Sequence, residues 1–475
     1  MKPPTPLTRA IGGIGIAALL ASGCALGPDY RRPEVPVPGS YRDQVGAAEA
    51  ASLADLPWWE VFQDATLQGL VGEAIAGNLD LRMAASRVEQ ARALAGVAGA
   101  DFWPQLGYNL NAGRQRQAVP GAEGPSTFNL FGAAASVAWE VDIWGRIRRS
   151  TEAAKADLLA AEEYRRGVLL TLVSSVAQGY IQLLEFDRQL EIARTTTASY
   201  QKTLDLFTRR YERGVDTKLS VMRATANLAE AAAAIAQTEQ GIAAQENELC
   251  VLLGRLPGPI PRAVPPERIE PPTVPSGLPS QLLERRPDIR QAEAAVIGAN
   301  ARVGVAIANF FPQIGLTGLF GAASPELDNL LANQSMIWSA GGTFAGPIFQ
   351  GGRLAGSYRA QKAQWEEIEL AYRKTVLQAF SEVATVLNSR VKLAEIRRQR
   401  ENDVEALRES VRLATSRYTM GLSNYYEVLE AQQLLFPSEI ALAQLQLDQL
   451  LTTVTLYRAL GGGWQLPDEQ WTAKP

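Results

Sequence analysis

ADFWPQLG at residues 100–107 and ANFFPQIG at residues 308–315 are one octet repeated 208 positions apart, so a large part of this 475-residue chain is present twice. The echo runs well beyond the octet. Asp80 with Arg82 returns as Asp288 with Arg290, Lys155 as Lys362, Arg210-Tyr211-x-x-Gly214 as Arg417-Tyr418-x-x-Gly421, and Leu253-Gly254 as Leu460-Gly461. After the octet the offset is 207. Copies of about 200 residues are far longer than a solenoid repeat, so each is a whole structural half.

Composition narrows the class. With 47% apolar residues the chain can bury large surfaces, while 20% charge and a net charge of -4 give no footprint for nucleic acid. Aromatic residues are only 7% and alanine is abundant, which suits long helices packed through small seams. The absence of histidine removes His-based triads, imidazole metal ligands and imidazole pH switches together. There is no GxSxG elbow, and five methionines without histidine form no soft-metal relay. The expectation is a protein that is not an enzyme and uses no cofactor or metal.

The first residues read as an export signal. Lys2 and Arg9 precede a short apolar run, Ile11 to Leu20, too short to span a bilayer, followed by small residues and Cys24. LASGC at 20–24 resembles the bacterial lipobox, whose cysteine is acylated; Ala21 stands where leucine is preferred. Ala25, not aspartate, beside that cysteine resembles the outer-membrane sorting signal. The other cysteine, Cys250, lies in an apolar helical stretch and is expected to be a small buried hydrophobe. Prolines crowd residues 28–38 and again 257–279, the second cluster falling between the two copies as their linker.

Within each copy the period is mostly helical. Tyr200, Leu204, Phe207 and Tyr211 step by four, three and four in a proline-free run from Arg146 to Tyr211; its partner runs from Arg353 to Tyr418. If continuous, such a run is a rod of roughly 100 Å at about 1.5 Å per residue. Shorter helices are expected over Thr66–Gly99, Lys218–Leu253, Asp288–Asn309 and Asn424–Leu460, with Gly254 and Gly461 as stops and a local bend at Pro437. The uncharged stretch Gly167–Leu184 carries Thr, Ser and Gln side chains and reads as helix-to-helix packing, not a membrane span.

Between the helices the period changes. Leu106, Tyr108 and Leu110 share one parity, as do Ile314, Leu316 and Phe320, and Met336, Trp338, Ala340 and Phe344. Residues 329–352 carry no charge, yet glycines punctuate them too often for a transmembrane helix. Alternation over about ten residues is the signature of an outer-membrane β-strand; Phe128–Trp139 alternates poorly but completes two strands per copy. Four strands cannot close a barrel, and open edges in lipid leave backbone groups unsatisfied at several kcal/mol apiece. The chain must therefore oligomerise, two copies giving eight strands and three giving twelve.

Gly27-Pro28-Asp29-Tyr30-x-x-Pro33, Phe102-x-Pro104-Gln105, Asp142-Ile143-Trp144-Gly145-Arg146, both Arg-Tyr-x-x-Gly turns and Glu284-Arg285-Arg286-Pro287-Asp288-Ile289-Arg290 together resemble the outer-membrane factor family. These are the TolC-like channels of tripartite efflux pumps, and the resemblance is to their lipoprotein branch. It implies a mainly α fold with membrane β: a homotrimer sharing one twelve-stranded transmembrane β-barrel, four strands per chain, continued by a long α-helical barrel through the periplasm. The organisation expected is a signal peptide (1–23), an extended segment (24–65), a first repeat (66–254), a linker (255–287), a second repeat (288–461) and a tail (462–475). The linker and termini would belt the helical barrel. Implied partners are a periplasmic adaptor, an inner-membrane pump of the RND type and outer-membrane lipid. A type I protein secretion duct of the same architecture, or a lipoprotein scaffold without a pore, are the alternatives.

The resemblance also implies site residues. Tyr211, Gly214, Val215, Tyr418, Gly421 and Leu422 fall on two periplasmic turns where an adaptor hairpin docks, and glycine suits a reversal needing positive φ. Glu427 and Glu430 match carboxylates at the narrow periplasmic aperture. Three chains would gather six such groups, each pair at about 6 Å in water repelling by roughly 0.7 kcal/mol. Some relatives bridge their two hairpins with a carboxylate and an arginine, where this chain has Ser220 and Ser423. Labelled palmitate is expected to enter the native chain but not Cys24→Ser, with pore formation intact because the barrel supplies most of the membrane-buried surface. Equal labelling of the two would overturn the lipobox reading.

Overall fold

The computed structural model describes residues 25–42, 57, 61, 64–118, 124–262 and 279–462. Cys24, the centre of the proline-rich linker (263–278) and the tail from 463 onward lie outside the described residues. The elements in order are α1 (Ala65–Gly77), α2 (Leu79–Ala100), β1 (Gln105–Ala118), β2 (Pro125–Val141), α3 (Arg146–Glu212), α4 (Lys218–Leu252), α5 (Leu282–Arg285), α6 (Pro287–Ala308), β3 (Gln313–Ser324), β4 (Met336–Ala345), α7 (Arg353–Thr419) and α8 (Tyr426–Ala459). They group into two compact units, and neither is one sequence copy. One holds residues up to Glu34, Ser86–Glu162 and Gln291–Arg373; the other holds Val35–Ala85, Glu163–Arg290 and the chain from Lys374.

The first unit contains one antiparallel sheet in the order β1-β2-β3-β4, two hairpins joined through β2 and β3. Its register sorts side chains by chemistry. Tyr108, Ala135, Phe320 and Trp338 form one row across all four strands, and Leu106, Val137, Gly318 and Ala340 form the next. The opposite face carries Asn109, Asn111, Ser136, Thr317 and Ser339, with Leu319 and Ile337 among them. Leu106, Tyr108, Trp338 and Phe344 are all more than two-thirds exposed, an arrangement that water would penalise. Strand β2 alternates poorly in sequence because alanine and glycine fill both of its faces at 132–135.

Two motifs explain themselves here. Asp142 accepts from the backbone N–H groups of Ile147 and Arg148 and so starts α3, while Arg146 pairs twice with Glu140 at 2.8 and 2.9 Å. Trp144 Nε1 donates to the Pro312 carbonyl at 2.7 Å and its ring stacks on Phe311, tying this junction to the second octet. The segment 25–34 is a strap. Arg149 binds Asp29 at 2.9 Å, Asn300 donates to the Pro28 carbonyl, and Glu293 accepts from Tyr30 and Arg32.

In the second unit α1 begins at Asp64, whose Oδ1 accepts from Thr66 and Leu67 N–H while its Oδ2 accepts from Tyr180. The helix expected over Thr66–Gly99 is in fact two. Asn78 ends α1 and caps α2 by accepting from Leu81 N–H, so an amide side chain, not a glycine or proline, breaks it. The apolar stretch of α3 is long enough to cross a membrane by composition, but Leu169, Val173, Val176, Ala177, Tyr180 and Leu184 are buried. Cys250 is buried with its thiol donating to the Gly258 carbonyl. Helix α8 runs unbroken through Pro437.

The duplication survives as matched contacts. Asn78 Nδ2 donates to the carbonyl of Leu252, the last residue of α4; 208 positions on, Arg286 donates to that of Ala459, the last residue of α8. Arg286 is also held by Asp288 and Glu382 at 2.7 Å, and Arg290 reaches the buried Glu163. That accounts for the Arg-Arg-Pro-Asp-Ile-Arg run: one arginine anchors a helix end and another neutralises a buried acid. Replacing Arg286 by Ala is expected to cost about 2 to 3 kcal/mol, since it strands a buried carbonyl and two acids. Asn78→Ala should cost nearer 1 kcal/mol. Urea unfolding midpoints rank the two, and equal values would deny the arginine its anchoring role.

Candidate functional site

Both hairpin tips close with the same hydrogen-bond pattern. Gly214 N–H donates to Tyr211 C=O and Val215 N–H to Arg210 C=O, each at 2.9 Å; Gly421 donates to Tyr418 and Leu422 to Arg417 in the same way. These 5→2 and 6→1 bonds satisfy the last carbonyls of α3 and α7 and require a left-handed residue at the reversal. Gly214 at φ 70° and Gly421 at φ 74° supply it. A Cβ at either would meet nothing within 4 Å, whereas at Gly254, which closes α4 identically, it would strike the Gly77 carbonyl oxygen at 2.3 Å. The tip glycines are therefore required by backbone angle alone and leave open surface around them.

Past each glycine the next helix starts on a polar cap. Thr217 Oγ1 accepts from Ser220 N–H, and Asn424 Oδ1 accepts from Tyr426 N–H. Val215 and Leu422, 63% and 67% exposed, stand out from the two turns with Met420 and Leu219, and Tyr211 is half exposed. Tyr418 differs. It is buried, so the two Arg-Tyr pairs share a sequence pattern but not a surface.

Tyr418 belongs to a cluster that joins the two hairpins. Phe207 from α3, Ala224 from α4, Ala414 and Tyr418 from α7, and Tyr425, Val428 and Leu429 at the start of α8 pack together. The Phe207 ring centroid lies 3.7 Å from Tyr425 and 5.9 Å from Tyr418. Asp216 completes the clasp, accepting from the Tyr418 hydroxyl at 3.5 Å and pairing with Arg210 at 3.4 Å, while that guanidinium lies 5.0 Å from the centre of the Tyr418 ring. Burial raises the Tyr418 and Tyr425 hydroxyls above the ordinary range, so both stay protonated at neutral pH. Ser220 bonds only to Thr217 of its own hairpin among the described residues, and the Ser423 hydroxyl is buried without a partner. The hairpins are thus held at this level by aromatic packing and the Tyr418–Asp216 hydrogen bond, and the sequence already had Ser220 and Ser423 where a carboxylate–arginine bridge would stand. Phe207 stood in the helical stripe of the sequence, but Asp216 and Tyr425 gave no signal.

Glu427 and Glu430 both lie in the first turns of α8, and only one is free. Glu427 accepts from Arg417 of the preceding helix at 3.3 Å; Glu430 is exposed and forms no ion pair among the described residues.

The chain matches the sequence model of the outer membrane efflux protein family over residues 70–255 and 278–462, once per copy. It is 33% identical over 469 residues to the toluene efflux pump outer membrane protein TtgC of Pseudomonas putida, covering 96% of each. It is 33% identical to the cation efflux system protein CusC of Escherichia coli, covering 94% of this chain and 97% of that one. Among solved structures, the outer-membrane channel OprN superposes with a TM-score of 0.88 at 30% identity, over 93% of this chain and all of that one. The chain belongs to the outer membrane efflux protein family and is an outer-membrane efflux channel with that family's helical and β architecture.

Proposed function

We propose that the working unit is a homotrimer, lipid-anchored through Cys24, which carries substrates handed over by a periplasmic adaptor and an inner-membrane pump of the RND type across the outer membrane. The observation that carries closure between copies is the four-stranded sheet with β1 and β4 as free edges and an aromatic outer face; the likeness to the channel family favours three copies over two. Three copies pair each β1 with a neighbouring β4, giving twelve strands; the apolar rows face lipid and the Asn, Ser and Thr rows face the lumen. The adaptor docks on the exposed tips around Gly214, Val215, Tyr211, Gly421 and Leu422, with Tyr418 shaping the surface from beneath. Three Glu430 side chains, backed by Glu427 partly offset by Arg417, give the aperture its negative field.

Purified protein is expected to have a trimeric mass by light scattering and to form cation-preferring pores in planar bilayers. A monomer that conducts would refute the closure argument. Glu430→Gln should lower the cation preference more than Glu427→Gln, and more at 0.01 M salt, where the screening length is about 30 Å. Unchanged reversal potentials in both variants would return the two residues to an ordinary solvated face.

Gly421→Val strains a left-handed site by about 1 to 3 kcal/mol and places a branched side chain in open surface. The expected variant is a trimer correctly placed in the outer membrane that no longer crosslinks to its adaptor or supports efflux. Normal crosslinking and efflux would move the docking surface elsewhere.

A further inference from the structure

A cavity of about 700 Å³ opens in the second unit where α3, α4 and α8 meet, well above the tips in sequence. That volume is in the range of pockets that hold drug-sized molecules, about 300 to 1,000 Å³. Its apolar wall is formed by Phe186, Phe436, Pro437 and Ile440, with alanines of α4 and α8 leaving the space open. Proline has no N–H, so at Pro437 the carbonyl of Gln433, four residues back, loses its helical donor on the same wall.

Two polar features distinguish this cavity from a packing defect. Asn227, which lines it, is only 5% exposed; its Oδ1 accepts from Gln433 Nε2 at 3.0 Å, and its Nδ2 has no partner. With Gln433 as the donor to Oδ1, the unmet group of Asn227 is an N–H that wants an acceptor. Burying such a donor unmet is costly; the amide stands at the cavity wall, and a small shift of that side chain toward the cavity lets a ligand atom satisfy it. The Tyr200 hydroxyl, which donates to the Gln432 carbonyl, makes no hydrogen bond with that amide. Glu230 is the single charged residue of the lining, which disfavours anions and favours cations.

We propose that this cavity is a binding site for amphiphilic molecules with a flat aromatic body, one hydrogen-bond acceptor and a positive charge: the acceptor takes the Asn227 Nδ2 hydrogen, the body lies against Phe186, Phe436 and Pro437, and the charge faces Glu230. The site is independent of adaptor docking and of the aperture carboxylates, and each chain carries one.

Rhodamine 6G, an aromatic cation with an ester carbonyl, is the probe, titrated by fluorescence anisotropy into the full-length protein in lipid nanodiscs. Saturable binding at one dye per chain is expected. Ala234→Trp on α4 and Ala441→Trp on α8 each fill the cavity from a different helix and should abolish it, so misfolding of one still leaves the other as the test. Asn227→Leu should weaken binding about tenfold, the worth of one hydrogen bond to a buried donor. Glu230→Gln should weaken rhodamine 6G but leave coumarin, a neutral carbonyl compound, unchanged. Uptake no greater than by empty nanodiscs, or equal affinity in a folded filling variant, would overturn the site.

Discussion

Everything in this chain's architecture answers to the unpaired backbone groups along β1 and β4. A four-stranded sheet with an aromatic face is stable neither in water, which penalises that face, nor alone in lipid, which penalises its two edges. Only lateral closure with further copies meets both demands. The side-chain sorting is consistent with that outcome in the central rows: the register that places Tyr108 beside Ala135, Phe320 and Trp338 leaves Asn109, Asn111, Ser136, Thr317 and Ser339 on the other face. A slip of one residue would exchange the two sets, so the register is fixed by the same solvent boundary that requires closure.

The duplication supplied the parts, and divergence gave the two copies different work. Asn78 and Arg286 perform one task, holding the last carbonyl of a returning helix, with an amide in one copy and a guanidinium in the other. At the tips the backbone is retained down to individual hydrogen bonds, yet Tyr211 points outward and Tyr418 inward. A single chain can therefore offer two similar turns while only one of them contributes its tyrosine to the seam between hairpins. Symmetry is kept where the chain must reverse, and broken where the hairpins meet.

The helices were legible because glycines mark their ends. Long helices begin and end within about one residue of Arg146, Tyr211, Arg353 and Tyr418, positions set by turn glycines whose angles no other residue adopts cheaply. The break at Asn78 was not, because asparagine within a helical pattern looks tolerable until its side chain is seen to cap the next helix. Strand β2 was faint for a different reason: alanine and glycine on both faces erase the contrast that reveals a strand, although the register makes each face unambiguous. The aromatic clasp was illegible in principle. Phe207, Asp216, Tyr418 and Tyr425 lie up to 218 positions apart, and no local period reports contacts across that separation.

That clasp changes the physics of closure at the tips. A surface ion pair between hairpins contributes about 0 to 1 kcal/mol and weakens with salt. A fully buried phenylalanine contributes about 1.5 to 3 kcal/mol from area alone, with about 0.5 to 1.5 more for each well-placed aromatic pair, and salt does little to it. Parting the hairpins would expose Phe207, now wholly buried, together with the faces of Tyr418 and Tyr425. Charge at Glu430 pushes the other way and is the screened component. Closure thus balances a salt-insensitive apolar attraction within each chain against a salt-sensitive repulsion between chains, and a partner that covers those rings would lower the cost of opening without breaking, among the described residues, an ion pair across the seam.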